Sequence, residues 1–334
     1  MKIANFSIGI IFLFFTVFNV SAQYNSDNYW NSMLENNNKE AYNTFTNSEK
    51  EYEKSIELLI TNEILRNENG LIDGASKDFL NKLMNFKDFE YYVYAFWNDP
   101  FLFDDYLKSG FYKKNIQAVR DLEVSKIENK TILFSLSYLK AVVERDSKNL
   151  LKYDEAIKQI DAIKEWQYCG VFENLNKSGY DTSYEPEVYA KNDKLFDANS
   201  NGTINWYTPN KEFQKEPYQF FTNHSEYGYG VNYAQTFINA DKDKRVQLRL
   251  GNSSAFKVWL NDVLVYENDK DVDTNLDAYA VNINLSEGIN RLLIKNAENN
   301  GMSYFMARLC DFEGYEIEGL TYSSQYSAYN KATI

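Results

Sequence analysis

The stretch that most constrains the fold is VWLNDVLVYEN, Val258 to Asn268, in which apolar residues alternate on both sides of an Asn-Asp pair. Asn261-Asp262 nearly matches the Asn-Gly pair that favours two-residue hairpin turns. Closing a hairpin there pairs Leu260 with Val263, Trp259 with Leu264, Val258 with Val265 and Lys257 with Tyr266. Side chains of paired residues point the same way, so the aliphatic residues of the first and third pairs form one apolar face. The sequence predicts a core hairpin, with any ligand-binding face elsewhere or on the Trp259 side.

Strand-length runs with period-two alternation extend from Trp166 to about residue 320 and are separated by Gly, Asn, Asp and Ser clusters. Runs of this length and spacing are typical of an antiparallel sandwich. The sequence therefore predicts a β-sandwich over residues 164–320, followed by a C-terminal tail over residues 321–334.

Between residues 24 and 163 the apolar spacing is helical instead. One stripe is Ile132, Leu136, Leu139 and Val143; another is Leu150, Tyr153, Ile157 and Ile160. Each stripe is one-sided, so the helices must stack on each other to bury it. Short helical pairs predict a degenerate array of tetratricopeptide-like hairpins, with EAYNTFTNSEKEYEKSIELL as the best local match. No convincing 34-residue period runs through the segment, and an irregular helical domain is the alternative.

The N-terminus predicts export. MKIANFSIGIIFLFFTVFNVSAQ combines Lys2, an apolar run from Ile8 to Val20, and small residues at Val20 and Ala22 that suit signal-peptidase cleavage after Ala22. The run is about 13 residues long, whereas a membrane-spanning helix needs about 20. We expect a signal peptide over residues 1–22 and a secreted or periplasmic protein with no membrane insertion after cleavage. An uncleaved anchor is the alternative.

Composition argues against several classes of function. The formal net charge of −13 is unfavourable for nucleic acid, whose phosphates require a basic surface. A thiol protease or transglutaminase needs a thiolate, an imidazole and an orienting carboxylate. His224 is the chain's one histidine and would have to act with Cys169 or Cys310. Neither cysteine lies in a loop typical of a nucleophile, so we expect no enzyme activity.

One segment resembles a known domain family. AQTFINADKDKRVQLRLGNSSAFKVWLNDVLVYEN, followed by INLSEGINRLLIKNAENNGMSYFMARL, is similar to the galactose-binding-like jelly roll appended to many exported bacterial proteins. The resemblance covers about residues 234–309 and implies a jelly-roll sandwich. Asp262 stands where that family has the turn glycine, and LGNSSAFKVW replaces its usual Asp-Asp-Gly.

A second resemblance lies upstream, in WQYCGVFENLNKSGYDTSYEPE. It is similar to a segment of large secreted bacterial proteins that carry a signal peptide, helical repeats, a sandwich, further repeats and a transglutaminase-like core. The chain aligns in order with the N-terminal part of those proteins and ends at GLTYSSQYSAYNKATI. The resemblance implies a multidomain α + β chain that lacks the catalytic core.

Two groups of residues are candidate sites. Loop and hairpin aromatics could stack on sugars, although packing onto the sandwich explains them equally well: Trp206, Tyr207, Tyr227, Tyr229 and Trp259. Alternate acids in YENDKDVDTNLDAY could bind Ca²⁺ through oxygen ligands, although solvated loop acids are the alternative: Asp269, Asp271, Asp273 and Asp277.

The sequence thus favours a non-catalytic exported binding or scaffold module. In this interpretation the helical array presents or docks the jelly roll for a protein partner in the cell envelope. One alternative is a carbohydrate-binding module that recognises an envelope glycan through the sandwich aromatics. Another is a truncated part of a transglutaminase-like enzyme.

Overall fold

The computed structural model describes residues 28–47, 84–86, 89–91, 94, 119–221, 229–299 and 301–331. The chain divides into two compact units, one of Met1–Phe96 with Phe101–Leu122 and one of Trp97–Pro100 with Glu123–Ile334. The predicted signal peptide, His224 and Tyr227 lie outside the described residues. No helix in the described ranges is long and apolar enough to cross a bilayer.

In the first unit, the described part begins with a helix over residues 28–34 and continues with helix α1, Asn38–Asn47. Tyr29 and Ala41 are buried, and the Tyr29 and Trp30 rings meet edge to face. Most of the predicted tetratricopeptide-like array lies outside the described residues, so the array stays a prediction.

In the second unit, a 3-10 turn at Val124–Lys126 precedes helix α2, Lys130–Asp146, and helix α3, Leu150–Lys158. The Asn129 side chain caps α2 by accepting a hydrogen bond from the Ile132 amide at 3.1 Å. The α2 stripe predicted from the sequence is confirmed, because all four of its residues are buried. In α3 the stripe is buried except for Leu150, which lies in the first turn and is exposed.

The rest of the second unit is an antiparallel β-sandwich, as predicted. Its strands are β1 Gln167–Phe172, β2 Phe196–Asp197, β3 Thr203–Ile204, β4 Gln219–Phe220, β5 Gly230–Ala240, β6 Lys244–Asn252, β7 Ala255–Leu260, β8 Val263–Asn268, β9 Tyr279–Leu285, β10 Gly288–Glu298, β11 Tyr304–Cys310 and β12 Leu320–Ser323. The larger sheet has six strands in the order β1-β5-β10-β7-β8, with β12 also pairing β5, and the smaller has four in the order β4-β11-β6-β9. Strands β2 and β3 form a separate ribbon.

Aliphatic and aromatic residues of the two inner faces form the core between the sheets, and they alternate with outward residues along each strand. On β10, for example, Leu292 and Ile294 belong to this core, whereas Leu293 belongs to a second cluster on the outer face of the larger sheet. The larger sheet is therefore buried on both faces along β10.

The β7–β8 hairpin forms as predicted at its turn but not along its whole length. Positive φ angles at Asn261 (53°) and Asp262 (70°) are those of a type I′ turn. The pairs Leu260–Val263 and Trp259–Leu264 are confirmed, but the predicted Val258–Val265 and Lys257–Tyr266 pairs are wrong. A β-bulge shifts the register by one residue, so Val258 pairs with Tyr266 and Lys257 with Glu267.

The bulge changes which residues are buried. Tyr266 packs against Phe256 and Tyr279, each with a ring-centroid distance of 5.6 Å. Val263, predicted to be core, is 39% exposed because β8 is an edge strand of the larger sheet.

Glu216, in the segment before β4, fastens the helix pair to the sandwich. Its carboxylate accepts hydrogen bonds from the Tyr138 hydroxyl (2.6 Å), the Arg145 guanidinium (3.0 Å) and the Tyr153 hydroxyl. Burial, reinforced by Glu216, raises the pKa of both tyrosines, which therefore remain hydrogen-bond donors. Both helices thus meet one acidic side chain of the sandwich unit.

We expect Glu216→Gln to lower the free energy of unfolding by about 2 kcal/mol, because an amide offers one acceptor atom to three donors. A urea titration measures the change. The matched control is Glu212→Gln, whose side chain is 76% exposed and bonds to Lys215. The control should stay within about 0.5 kcal/mol of the unchanged protein. Equal effects of the two substitutions would contradict the role given to Glu216.

Candidate functional site

The outer face of the larger sheet is covered by residues of the long connection between β1 and β4, 173–218, which we call the cover segment. Trp206 and Phe196 of this segment pack with Tyr233 and Leu293 of the sheet in one buried cluster. The covering follows from the sequence of β5 and β10, whose outward positions carry large side chains that need burial or partners.

Arg291 on β10 holds the cover segment by hydrogen bonds. Its side chain is fully buried, and its guanidinium donates to the Gln235 side chain (2.9 Å), to the Pro186 carbonyl (2.6 Å) and to the Asp262 carboxylate (2.9 Å). A buried guanidinium is tolerated when its donors are satisfied in this way. Asp262, which replaces the expected turn glycine, is therefore a partner of Arg291.

Lys295, four residues further along β10, repeats the arrangement. Its ammonium donates to the Thr182 carbonyl (2.7 Å) and to the Glu187 carboxylate (2.9 Å), which also accepts from the Tyr233 hydroxyl (2.7 Å). Burial lowers the pKa of Lys295, and Glu187 opposes that shift. On this face of the larger sheet, Arg291 and Lys295 are therefore buried and hydrogen-bonded to the cover segment.

The predicted sugar-stacking aromatics are scattered. Trp206 is 3% exposed and its indole donates to the Tyr189 carbonyl at 3.0 Å. Tyr207 and Trp259 are half-buried and pack against the two clusters of the sandwich. Tyr229 is 72% exposed. The described residues of this group do not form one platform, and their role in ligand binding stays a prediction.

The four aspartates proposed as calcium ligands do not form one site: two bond to different partners and two are exposed. Asp277 is buried and bonds to Arg308, whereas Asp271 accepts from Lys177, Ser254 and Asn299. Asp269 and Asp273 are exposed. The described ranges hold no group of three or more His, Cys, Asp or Glu side chains that could bind a metal ion.

Both cysteines are buried and free. Cys169 lies in the cluster under the cover segment, and Cys310 ends β11. Burial raises the pKa of both thiols, which keeps them in the weakly nucleophilic protonated form.

An open pocket of about 270 Å³ lies where the helix pair meets the smaller sheet, and we call it the junction pocket. Its apolar wall comes mainly from α2, through Leu133 and Phe134. Its polar wall comes from the start of α2, the turn after α3, strand β11 and the loop that follows β11. The polar and aromatic residues of this wall include Lys130, Asp161, Arg308, Tyr315 and Glu316.

Arg308 is fixed at the base of the pocket. It is 2% exposed, donates to the Asp277 carboxylate through Nε (2.9 Å) and Nη2, and donates to the Gly314 carbonyl at 3.1 Å. Its guanidinium lies 4.8 Å from the Phe134 ring centroid. Burial disfavours its charged form, but Asp277 outweighs that effect and raises the pKa of Arg308. The Arg308 charge is therefore already matched by Asp277.

Asp161 is brought to the pocket by the segment after α3. Two residues later the Ile163 amide donates to the carbonyl of Ala307, the neighbour of Arg308, at 2.9 Å. The Oδ2 atom of Asp161 is buried without a hydrogen-bond partner, and the nearest Arg308 nitrogen is 3.9 Å away, beyond hydrogen-bonding distance. Burial raises the pKa of Asp161 to about 6; Glu316 and Asp277 add to the shift, whereas Arg308 opposes it.

Sequence reasoning missed this pocket, although a signal was present. Arg308 is a charged residue inside the otherwise apolar strand YFMARLC, and period-two alternation alone would assign it to solvent. A charged side chain in such a strand must either face water or be covered and paired with an opposite charge. In this chain α2 covers Arg308 and Asp277 pairs with it.

No protein-family model and no curated protein matches the sequence. Among solved structures, the chain is similar to a β-glucosidase from Kluyveromyces marxianus in complex with glucose, with 10% identity and a TM-score of 0.27, covering 43% of this chain and 15% of that one. It is also similar to a family 35 carbohydrate binding module from an environmental isolate, with 15% identity and a TM-score of 0.22, covering 30% of this chain and 74% of that one. TM-scores this low define neither a shared fold nor a shared function.

We expect Trp206→Ala to destabilise the protein by about 3 to 5 kcal/mol, because it removes a buried indole and leaves a cavity. Phe213→Ala is the matched control, since Phe213 is an exposed aromatic of the same segment. Thermal and urea unfolding of the full chain measure both changes. If the Trp206→Ala protein is as stable as the control, the indole is not packed in the core, and Trp206 again becomes a candidate for stacking on a ligand.

We expect Asp161→Asn to stabilise the protein at neutral pH by about 2 kcal/mol. The folded pKa of about 6 exceeds the ordinary 3.8, so the carboxyl group favours folding below the ordinary value and loses that contribution as pH rises through about 6. The gain should therefore disappear below about pH 4. Unfolding measured across this range tests it, with Asp154→Asn, a half-exposed partner of Lys215, as control. A gain that does not change with pH would contradict the assignment.

Proposed function

We propose that this chain is an exported, non-catalytic binding protein whose junction pocket engages a protein partner of the cell envelope. The observation that carries the proposal is the Asp161 carboxylate, which lines an open pocket, has a side chain that is 24% exposed, and accepts no hydrogen bond from the described residues. A partner group that donates a hydrogen bond to its exposed part supplies a bond that the chain itself does not, so the arrangement favours the bound state.

The non-catalytic part of the proposal is supported by the state of the two thiols. Burial keeps Cys169 and Cys310 in the protonated, weakly nucleophilic form. Export and the tetratricopeptide-like array over residues 24–163 are further parts of the proposal that rest on the sequence.

A protein partner is favoured over a glycan by the surroundings of the pocket. Tyr315 is 54% exposed at its rim, and Phe312 of the same loop is also exposed. Exposed aromatics beside a desolvated polar group are characteristic of protein interfaces. The sugar-binding alternative loses a candidate platform, because the cover segment buries Trp206.

The test is site-specific photo-crosslinking of the full chain in cells that produce it. A photoreactive phenylalanine derivative replaces Gln159, an exposed residue of the pocket wall, or, as control, Asn284, an exposed residue of β9. We expect a discrete protein adduct from position 159 and none from position 284.

A second substitution, Ser137→Trp, fills the pocket from α2 and should abolish the adduct, because Ser137 lines the cavity. Circular dichroism and the unfolding midpoint check that this variant is folded. An adduct that survives Ser137→Trp, or that forms equally from both positions, would overturn the proposal.

A further inference from the structure

The charged groups that line the junction pocket are equal in number but differ in their hydrogen bonding. They are two carboxylates, Asp161 and Glu316, and two cations, Arg308 and Lys130. Arg308 is matched by Asp277 through hydrogen bonds from Nε and Nη2. Lys130 lies over the Tyr315 ring, with its ammonium 4.5 Å from the centroid. Neither cation donates a hydrogen bond to Asp161, whose contact with Arg308 is a long ion pair of 3.9 Å and whose side chain is 24% exposed.

The other nearby lysine is also engaged. Lys164 donates to the Ile157 and Ile160 carbonyls, at 2.8 and 2.9 Å, and so caps the C-terminal end of α3. Its charge slightly lowers the pKa of Asp161 without bonding to it. Tyr322 of β12 faces the same two acids: burial raises its pKa, and Asp161 and Glu316 add to the shift. Tyr322 is therefore neutral at physiological pH.

We propose that the junction pocket accepts one cationic side chain, lysine or arginine, from the protein partner, and that Asp161 and Glu316 bind its charged end. The inference rests on the proposed function and adds the chemistry of the group that is recognised. An acidic or phosphorylated side chain is disfavoured, because it would meet two carboxylates while Arg308 is already committed to Asp277.

The size of the pocket fits a single side chain. Its volume of about 270 Å³ lies below the roughly 300 to 1,000 Å³ of sites that enclose drug-sized ligands. Leu133 and Phe134 offer apolar surface to the methylene stem of a lysine or arginine, while the charged end reaches the carboxylates.

Binding should depend on pH in a defined direction. The Asp161 pKa of about 6 means that the carboxylate is charged at neutral pH and protonated under moderately acidic conditions. Protonation removes the charge that attracts the cation. Affinity for the cationic side chain should therefore fall as pH decreases through about 6.

The test uses the full chain and three short acetylated and amidated peptides that differ at their central residue: lysine, arginine or norleucine. Norleucine keeps the methylene stem of lysine without its charge. The probe is the NMR signal of the Gly314 amide, which lines the pocket. We expect saturable shifts with the lysine and arginine peptides at about pH 7.5, at least about tenfold weaker binding of the norleucine peptide, and a similar loss for the lysine peptide at about pH 5.

Asp161→Asn should weaken lysine-peptide binding by about tenfold, whereas Glu155→Gln, which removes an exposed acid of α3, should not. Asp161→Asn is expected to be more stable than the unchanged protein at neutral pH, so lost binding cannot be attributed to unfolding. Equal binding of lysine and norleucine peptides, or unchanged binding by Asp161→Asn, would overturn the inference.

The two proposals fail separately. If the crosslinked adduct forms at position 159 and Ser137→Trp removes it, but the peptides do not discriminate charge, the protein-binding function stands and the cationic occupant is wrong. If lysine peptides bind and no adduct forms in cells, the pocket chemistry stands without the envelope partner.

Discussion

The arrangement of the second unit depends on the buried ion pair between Arg308 and Asp277. The Asp277 side chain is fully buried and that of Arg308 is 3% exposed, so breaking the pair would leave a buried charge without its counter-charge, at a cost of about 3 to 5 kcal/mol. The pair also contacts helix α2 from both of its members. Asp277 comes from the connection before β9 and accepts from Thr131 of α2, while Arg308 lies against Phe134 of the same helix. The position of α2 on the smaller sheet is therefore specified by charge as well as by apolar contact.

Both sheets carry buried cations on their outward faces, and in both cases another part of the chain packs over them. Outward cations on the strands would ordinarily face water; in this chain Arg291, Lys295 and Arg308 lie under covering elements instead. The cover segment supplies backbone carbonyls to Arg291 and Lys295 of the larger sheet, and the helix pair packs over Arg308 of the smaller one. In the described ranges, the faces around these cations are closed to a flat ligand. The junction pocket lies at the seam between the helix pair and the smaller sheet.

The sequence predicted what depends on local pattern and missed what depends on distant partners. Period-two alternation predicted the strands, and Asn261-Asp262 predicted the hairpin turn. The bulge after Leu264 was not predictable, because Val265 and Tyr266 are both acceptable next to a core and the apolar pattern does not distinguish them. Trp206 was interpreted as a loop aromatic, but only the fold shows that its ring turns inward. Asp277 was grouped with its sequence neighbours, whereas its partner, Arg308, lies 31 positions further along the chain.

Helix α2 is held near both ends, so contacts within the chain define the walls of the junction pocket. Thr131 and Phe134 contact the Asp277–Arg308 pair near its N-terminus, and Tyr138 and Arg145 bind Glu216 further along. The segment after α3 is fixed to β11 by the Ile163 amide. Because these contacts are already made, the proposed guest side chain would not have to order the walls, and that would reduce the entropic cost of binding.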